Sequence, residues 1–418
     1  MKLVAKVLLG YLVTHILLIS LIEAFFCVPL KILQLALLFL IFGIAVINAK
    51  NTIIEKSDLL IIFSLLFLNI FYTFIDGRGL WFFNMTYTLS LAILISKVIP
   101  PNISLREYLR SIEKIYLVLI IGLVIEYLIV VFFGESLQIK LFMCTGHQTG
   151  TRGYIQLYNM TKEFLPYHVT GLNSIMMGGQ TASQLSVIMF IWFFYNYRIT
   201  ELKSYMFFTL LAILMVFLSP TVTSLILLFF AVMLIYFFHL NGFKHKKIRS
   251  FYKTYFFVFL VLVSLYLIIL VLTSKHSNLD VIYETYVIQN LMGFSEFSTK
   301  EILFGIWNTR QVELFKVTEI AYLEHLARYG FFGVGVFYIS IFYFIVRALE
   351  KRNTIPVILN VVIILIFVLG NAHYPVMLNI GVVEIFALHL AYLIYIGSTK
   401  TEKNSPEIPP LNINNPTK

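Results

Sequence analysis

Apolar runs long enough to cross a bilayer follow one another along nearly the whole chain, and this limits the folds open to it more than any other feature. A crossing helix needs roughly 17–25 mostly apolar residues. Such runs fall near 7–26, 30–48, 58–75, 80–99, 115–134, 174–196, 205–219, 221–239, 255–273, 329–347, 355–371 and 379–397. The seventh and eighth form one apolar stretch of about 35 residues, too long for a single crossing, and Pro220 divides it. Charged residues make up 12% of the chain, against about 25% in soluble domains. The expected fold is therefore an all-α integral membrane protein of about 12 transmembrane helices, one polytopic domain over 1–397. The segment 398–418, rich in Pro and Asn, reads as a disordered tail.

Lys and Arg orient the spans. With the N-terminus inside, 21 of the 31 Lys and Arg fall on the cytoplasmic side and 10 on the outer side, and FKHKKIRSFYK (243–253) is the most basic inner loop. Both termini are then cytoplasmic. The net charge of +10 records this bias, and nucleic acid is not an expected partner. The basic, apolar start continues to Phe26 without a small-x-small cleavage site, as in a retained first span. Two cysteines, Cys27 and Cys144, cannot frame a metal site by themselves.

Inner loops are short, whereas two outer loops, 135–173 and 274–328, are long and carry aromatic, apolar and charged residues. Loops of that length are usually functional, so the working surface is expected outside. The second ends in EIAYLEHLARYGFFGVG, which places Glu319, Tyr322, Glu324, His325 and Arg328 where a span begins. Glu324 and Arg328 stand four apart and can pair on a helix. Gly330, Gly333 and Gly335 allow a close helix contact just below. Inside the spans, His15, Glu126, Gln180, Gln184, Glu384 and His389 are costly to bury. Intramembrane ionisable groups are functional candidates, and Glu126 and Glu384 either line a cavity or bond a neighbouring helix. GGQTAS (178–183) follows no strand and reads as a helix-packing surface.

Three stretches together resemble the O-antigen polymerase family, relatives of the O-antigen ligases. They are EILFGIWNTR followed by Glu319-x-x-Tyr322 and Gly330-x-x-Gly333, then YHVTGLNSIMMGGQTASQLS (167–186), and NAHYPVML (371–378). Glu319-Ile320 stands where ligases more often have His-Asn, and His168 where Arg is usual. The resemblance implies a glycosyltransferase bundle of the GT-C-like kind in a bacterial inner membrane, with periplasmic outer loops. It implies transfer of a growing glycan from undecaprenyl pyrophosphate onto a lipid-linked repeat unit. Glycan lipids and membrane lipids are the expected partners, a chain-length regulator protein a further one.

Such a transfer needs cations where the pyrophosphate leaves and a base at the acceptor hydroxyl. The outer residues offer Arg152, Arg310, Arg328 and Tyr322 for the pyrophosphate, and Glu319, His325, His373 and His168 as bases. No cofactor is expected, and without a DxD-type carboxylate pair the transfer is expected to be metal-independent. Structural roles compete with each assignment: Arg310 can stack on Trp307, Arg328 can reach headgroups, and His373 can stabilise a turn before Pro375. A ligase-type transferase shares the topology. A lipid-linked oligosaccharide flippase would have a similar span count but short loops on both sides and repeated halves.

Overall fold

A computed structural model describes residues 2–26, 30–47, 55–76, 79–133, 179–218, 222–242, 297–305, 321–352, 354–371 and 381–399. Among these residues the chain is almost entirely helical, with no strand. The helices are α1 (Lys2–Phe26), α2 (Leu30–Ile47), α3 (Lys56–Asp76), α4 (Gly79–Val98), α5 (Leu105–Phe133), α6 (Gly179–Thr200), α7 (Lys203–Leu218), α8 (Val222–Gly242), α9 (Thr299–Phe304), α10 (Ala321–Lys351), α11 (Ile355–Gly370) and α12 (Val382–Ser398). A helix thus lies over every span expected from the sequence except 255–273, which is outside the described residues. Three stretches among the described residues are long and apolar enough to cross a membrane by length and composition: Lys56–Thr73, Phe82–Asn102 and His325–Lys351. Shorter apolar helices run over Leu33–Ile47, Lys203–Leu218, Thr223–Tyr236, Ile355–Gly370 and Val382–Ser398.

Local chemistry explains the breaks. Pro100 and Pro101 cannot continue α4 and form a short 3₁₀ turn over Pro100–Asn102. Pro356 sits in the first turn of α11, where its missing N–H costs nothing. The short α9 follows the S-x-x-E pattern of a capping box: Glu301 Oε2 accepts from the Ser298 N–H at 2.8 Å, and Ser298 Oγ accepts from the Glu301 N–H at 3.4 Å.

α4 and α12 run side by side at the centre. α3 and α2 cover α4; α10, α11 and α1 cover α12; α6 with α7 and α8 forms a second group, joined through α11 and through α5. The outer helices turn apolar stripes outward. Leu60, Phe63, Phe67 and Ile70 on α3, and Phe207, Leu210, Leu214 and Phe217 on α7, recur at helical spacing and are exposed. Polar residues such as Thr181, Ser183, Gln184 and Asn360 point inward. Soluble monomers do not expose apolar surface on this scale, so the pattern fits membrane association.

Charge gathers at one end of the bundle. Lys97 near the end of α4 pairs with Asp58 in the first turn of α3 at 2.6 Å, and both are buried. Lys97 also donates to Ser398 Oγ at 3.3 Å. Glu55, whose N–H donates to Asp58 Oδ2 at 3.2 Å, pairs with Arg347 near the end of α10. At the same end Lys6 of α1 meets Glu107 of α5 at 2.8 Å, and the Tyr205 hydroxyl of α7 donates to Glu113 Oε1 of α5 at 2.7 Å. Burial raises the Glu113 carboxyl above its usual range, with the Tyr205 bond and Arg110 acting the other way. These ties join the start of α3 to the ends of α4 and α10, the end of α4 to that of α12, and the starts of α1 and α7 to that of α5.

His389 belongs to the core. Its Nδ1 lies 2.6 Å from Asn360 Oδ1 and its Nε2 2.6 Å from the Tyr116 hydroxyl. The Asn360 amide N–H₂ donates to the Pro356 carbonyl, so its oxygen accepts from Nδ1–H and the phenol donates to Nε2. Both ring nitrogens are used in holding α12 to α11 and α5. His389, costly to bury, is thus fully engaged in bonding neighbouring helices. Gln184 is likewise a packing residue, lying in the contact with Gly370 on α11.

Candidate functional site

The opposite end carries a contact between two glycines. Gly305 ends α9 at φ 83°, and its N–H donates to the Glu301 carbonyl at 2.7 Å. Gly330 lies within α10 at φ 60° and ψ −176°, a conformation that interrupts the helix and that side-chain-bearing residues rarely adopt. A Cβ on Gly305 would fall on the backbone of Arg328 and Tyr329, and a Cβ on Gly330 on that of Leu303 and Gly305. The Leu303-Phe304-Gly305 turn is thus seated against Arg328-Tyr329-Gly330, backbone to backbone.

At this break in α10 lies the Tyr329 carbonyl. The Tyr72 hydroxyl of α3 donates to it. Gly333 makes room: a Cβ there would lie 2.8 Å from the Tyr72 hydroxyl, 2.8 Å from Tyr329 Cβ and 3.2 Å from the Phe82 ring. Rings fill the surroundings. Tyr329 packs edge-on against Tyr72 at 5.6 Å and against Phe82 at 5.2 Å, while Phe304 bridges Phe71 at 5.6 Å and Phe332 at 5.2 Å. Gly-x-x-Gly therefore does more than permit a close helix contact. Its first glycine breaks the helix, and its second admits the tyrosine that donates to the Tyr329 carbonyl.

His325 and Arg328 stand just outside this break. His325 is buried, its ring 6.3 Å from that of Tyr329, and its Nδ1 has no hydrogen-bond partner among the described residues. Arg328 is half-buried, one turn further along and close enough for its charge to act on His325. Tyr322 lies in the first turn of α10, three residues before His325. Glu319, Arg310, Arg152, His168 and His373 lie outside the described residues, as do both cysteines, and the side chains of Tyr322, Glu324 and Glu126 are not described. The structure thus brings His325 and Arg328 to one helix end and adds Tyr72, Phe82 and the Gly305 turn, which the sequence reading did not assign to a site. Leu-Phe-Gly and Gly-x-x-Gly were legible as separate signals; nothing local marks Tyr72 in FYTFID.

Tyr72→Phe removes the donor and leaves the Tyr329 carbonyl buried without it. A loss of about 1–3 kcal/mol in stability is expected, read as a lower thermal midpoint of the purified protein, with the aromatic packing kept.

Comparison with protein-family models, with characterised proteins and with solved structures returns no match.

Proposed function

We propose that this chain is a polymerase of lipid-linked surface glycans, of the O-antigen type, working at the outer face of a bacterial inner membrane. The observation that carries the reading is the seating of the Leu303-Phe304-Gly305 turn against Arg328-Tyr329-Gly330. Two motifs of the first stretch behind the family resemblance, Leu-Phe-Gly and Gly-x-x-Gly, separate in sequence, meet at the helix end that bears His325 and Arg328. In this reading the bundle is GT-C-like with about twelve spans, and the end rich in paired charges (Lys97, Asp58, Glu55, Arg347) faces the cytoplasm.

The reaction joins a sugar hydroxyl of a lipid-linked repeat unit to the anomeric carbon of the growing glycan. The new C–O bond forms as the bond from that carbon to the undecaprenyl pyrophosphate breaks. The hydroxyl proton passes to a base, for which Glu319 is the first choice and His325, His168 and His373 are the others. The electron pair leaves with the pyrophosphate, whose growing charge Arg328, Arg310 and Arg152 stabilise, with Tyr322 as a further ligand.

The test is the surface glycan of a deletion strain carrying the wild-type gene or Arg310→Ala, Arg328→Ala or Glu319→Ala, separated on a gel. Single capped repeats in place of a ladder are expected in the deletion strain. Loss of one phosphate-facing cation is expected to lower polymer formation about 10²–10³-fold, with the protein still present in the membrane. Full-length lipid-linked polymer that never reaches its final acceptor would identify a ligase. Repeat units stranded on the cytoplasmic face would identify a flippase.

A further inference from the structure

Four helices each send one buried polar side chain to the first turn of α12: His15 from α1, Gln34 from α2, Tyr87 from α4 and Glu384 from α12 itself. Glu384 Oε1 accepts from the Tyr87 hydroxyl at 2.9 Å and from Gln34 Nε2 at 3.3 Å, and its Oε2 accepts from the Gly381 N–H at 2.8 Å. Three donors around one carboxyl make a setting for an anion. An ionised carboxylate with 0% of its side chain exposed still needs a compensating positive charge.

Among the described residues no Lys or Arg supplies it. The ionisable groups facing Glu384 are His15 and Tyr87, with Tyr11 beside both. On α10 and α11, which also pack on α12, Tyr338 and Asn371 hydrogen-bond each other at 3.2 Å. Two atoms of the cluster are buried without a hydrogen-bond partner among the described residues: His15 Nε2 and Gln34 Oε1. His15 Nε2 stops 3.9 Å from Glu384 Oε1, with only 6% of the His15 side chain exposed. That gap is too long for a hydrogen bond, and closing it to about 2.8 Å takes roughly a 1 Å movement.

Among the described residues the ligands indicate what supplies the charge. Hard cations take several oxygen donors, whereas the unsatisfied group nearest the carboxylate is an imidazole, which takes a proton. We propose that this cluster is an intramembrane proton-binding site, in which His15 and Glu384 hold one proton between them and so tie α1 to α12. The unpartnered Gln34 oxygen offers an acceptor for a water that delivers it. The site is separate from the helix end at Gly330 and does not rest on the proposed reaction.

Infrared difference spectra of the full chain in lipid vesicles, between about pH 6 and about pH 9 in potassium buffer, test this. Wild type is expected to release one proton per chain, with matched changes in carboxyl and imidazole bands. Glu384→Gln, nearly isosteric, is expected to lose the carboxyl change, and His15→Gln the imidazole change, both with unaltered helix content. Release that is the same in Glu384→Gln as in wild type would overturn the proposal. So would a wild-type spectrum without proton release over this range. Bands that shift with added sodium in place of pH would overturn it too, since the occupant would then be a metal cation.

Discussion

Gly330→Ala is expected to destabilise the protein by about 2–5 kcal/mol, a sum of backbone strain and overpacking. The added methyl would lie 2.5 Å from Gly305 N and closer still to the Leu303 carbonyl, and the residue would have to hold φ 60° with ψ −176°. Neither problem is solved by a rotamer change, because the obstructing atoms are backbone. Relief requires α9 to leave α10, which would uncover Phe304 and the Tyr329 region. Gly10→Ala and Gly43→Ala are the controls, since nothing lies within 4 Å of a Cβ at either position. Thermal midpoints of the three variants in the same detergent should separate, with Gly330→Ala far below and the controls at or above wild type. In cells Gly330→Ala should also accumulate poorly, whatever reaction the protein performs.

The second large effect belongs to the charged end. Asp58 is fully buried and Lys97 nearly so. Removing one partner leaves a buried, uncompensated charge, which costs about 3–5 kcal/mol. Asp58→Ala and Lys97→Met are each expected to fall in that range. The double variant Asp58→Leu with Lys97→Met should regain most of the loss, because an apolar pair of similar volume avoids the desolvation that the ion pair must offset. A double-mutant cycle on thermal or denaturant midpoints measures this coupling. Lys6→Ala, in the more exposed pair with Glu107, should change little. Equal effects at Lys6 and Lys97 would show that the Asp58–Lys97 pair is not buried as described.

Helix positions were legible because hydropathy and proline act locally. Pro100 and Pro356 mark breaks that the structure respects, and among the described residues helices lie over the expected apolar runs. The larger departures are α5, which begins at Leu105 and not near 115, and α10, which begins at Ala321 and not near 329. The polar segment Tyr322–Arg328 is helical and runs into the apolar stretch His325–Lys351, with the helix interrupted at Gly330. A positive φ cannot be read from Gly-x-x-Gly alone, since it depends on where Leu303 and Gly305 come to rest. Asp58 and Lys97 show the same limit. Lys97 was counted as one more inner-side cation and Asp58 went unremarked, because the pairing depends on how α3 and α4 meet. His15 and Glu384 stood out as expensive to bury; Gln34 and Tyr87 did not, and only the helix arrangement makes them partners.

The break in α10 also separates two angular settings. Along an uninterrupted helix each added residue turns everything beyond it by 100°, so the orientation of an upper face is dictated by the residues beneath. At Gly330 that inheritance stops. The azimuth of His325 and Arg328 is set by the Gly305 turn and by Tyr72, while that of Phe331–Lys351 is set by α12, α3 and the Arg347–Glu55 pair. Changes in the crossing portion can therefore be absorbed without re-aiming the residues at its mouth, and the mouth can be altered without twisting the crossing portion out of register with its neighbours.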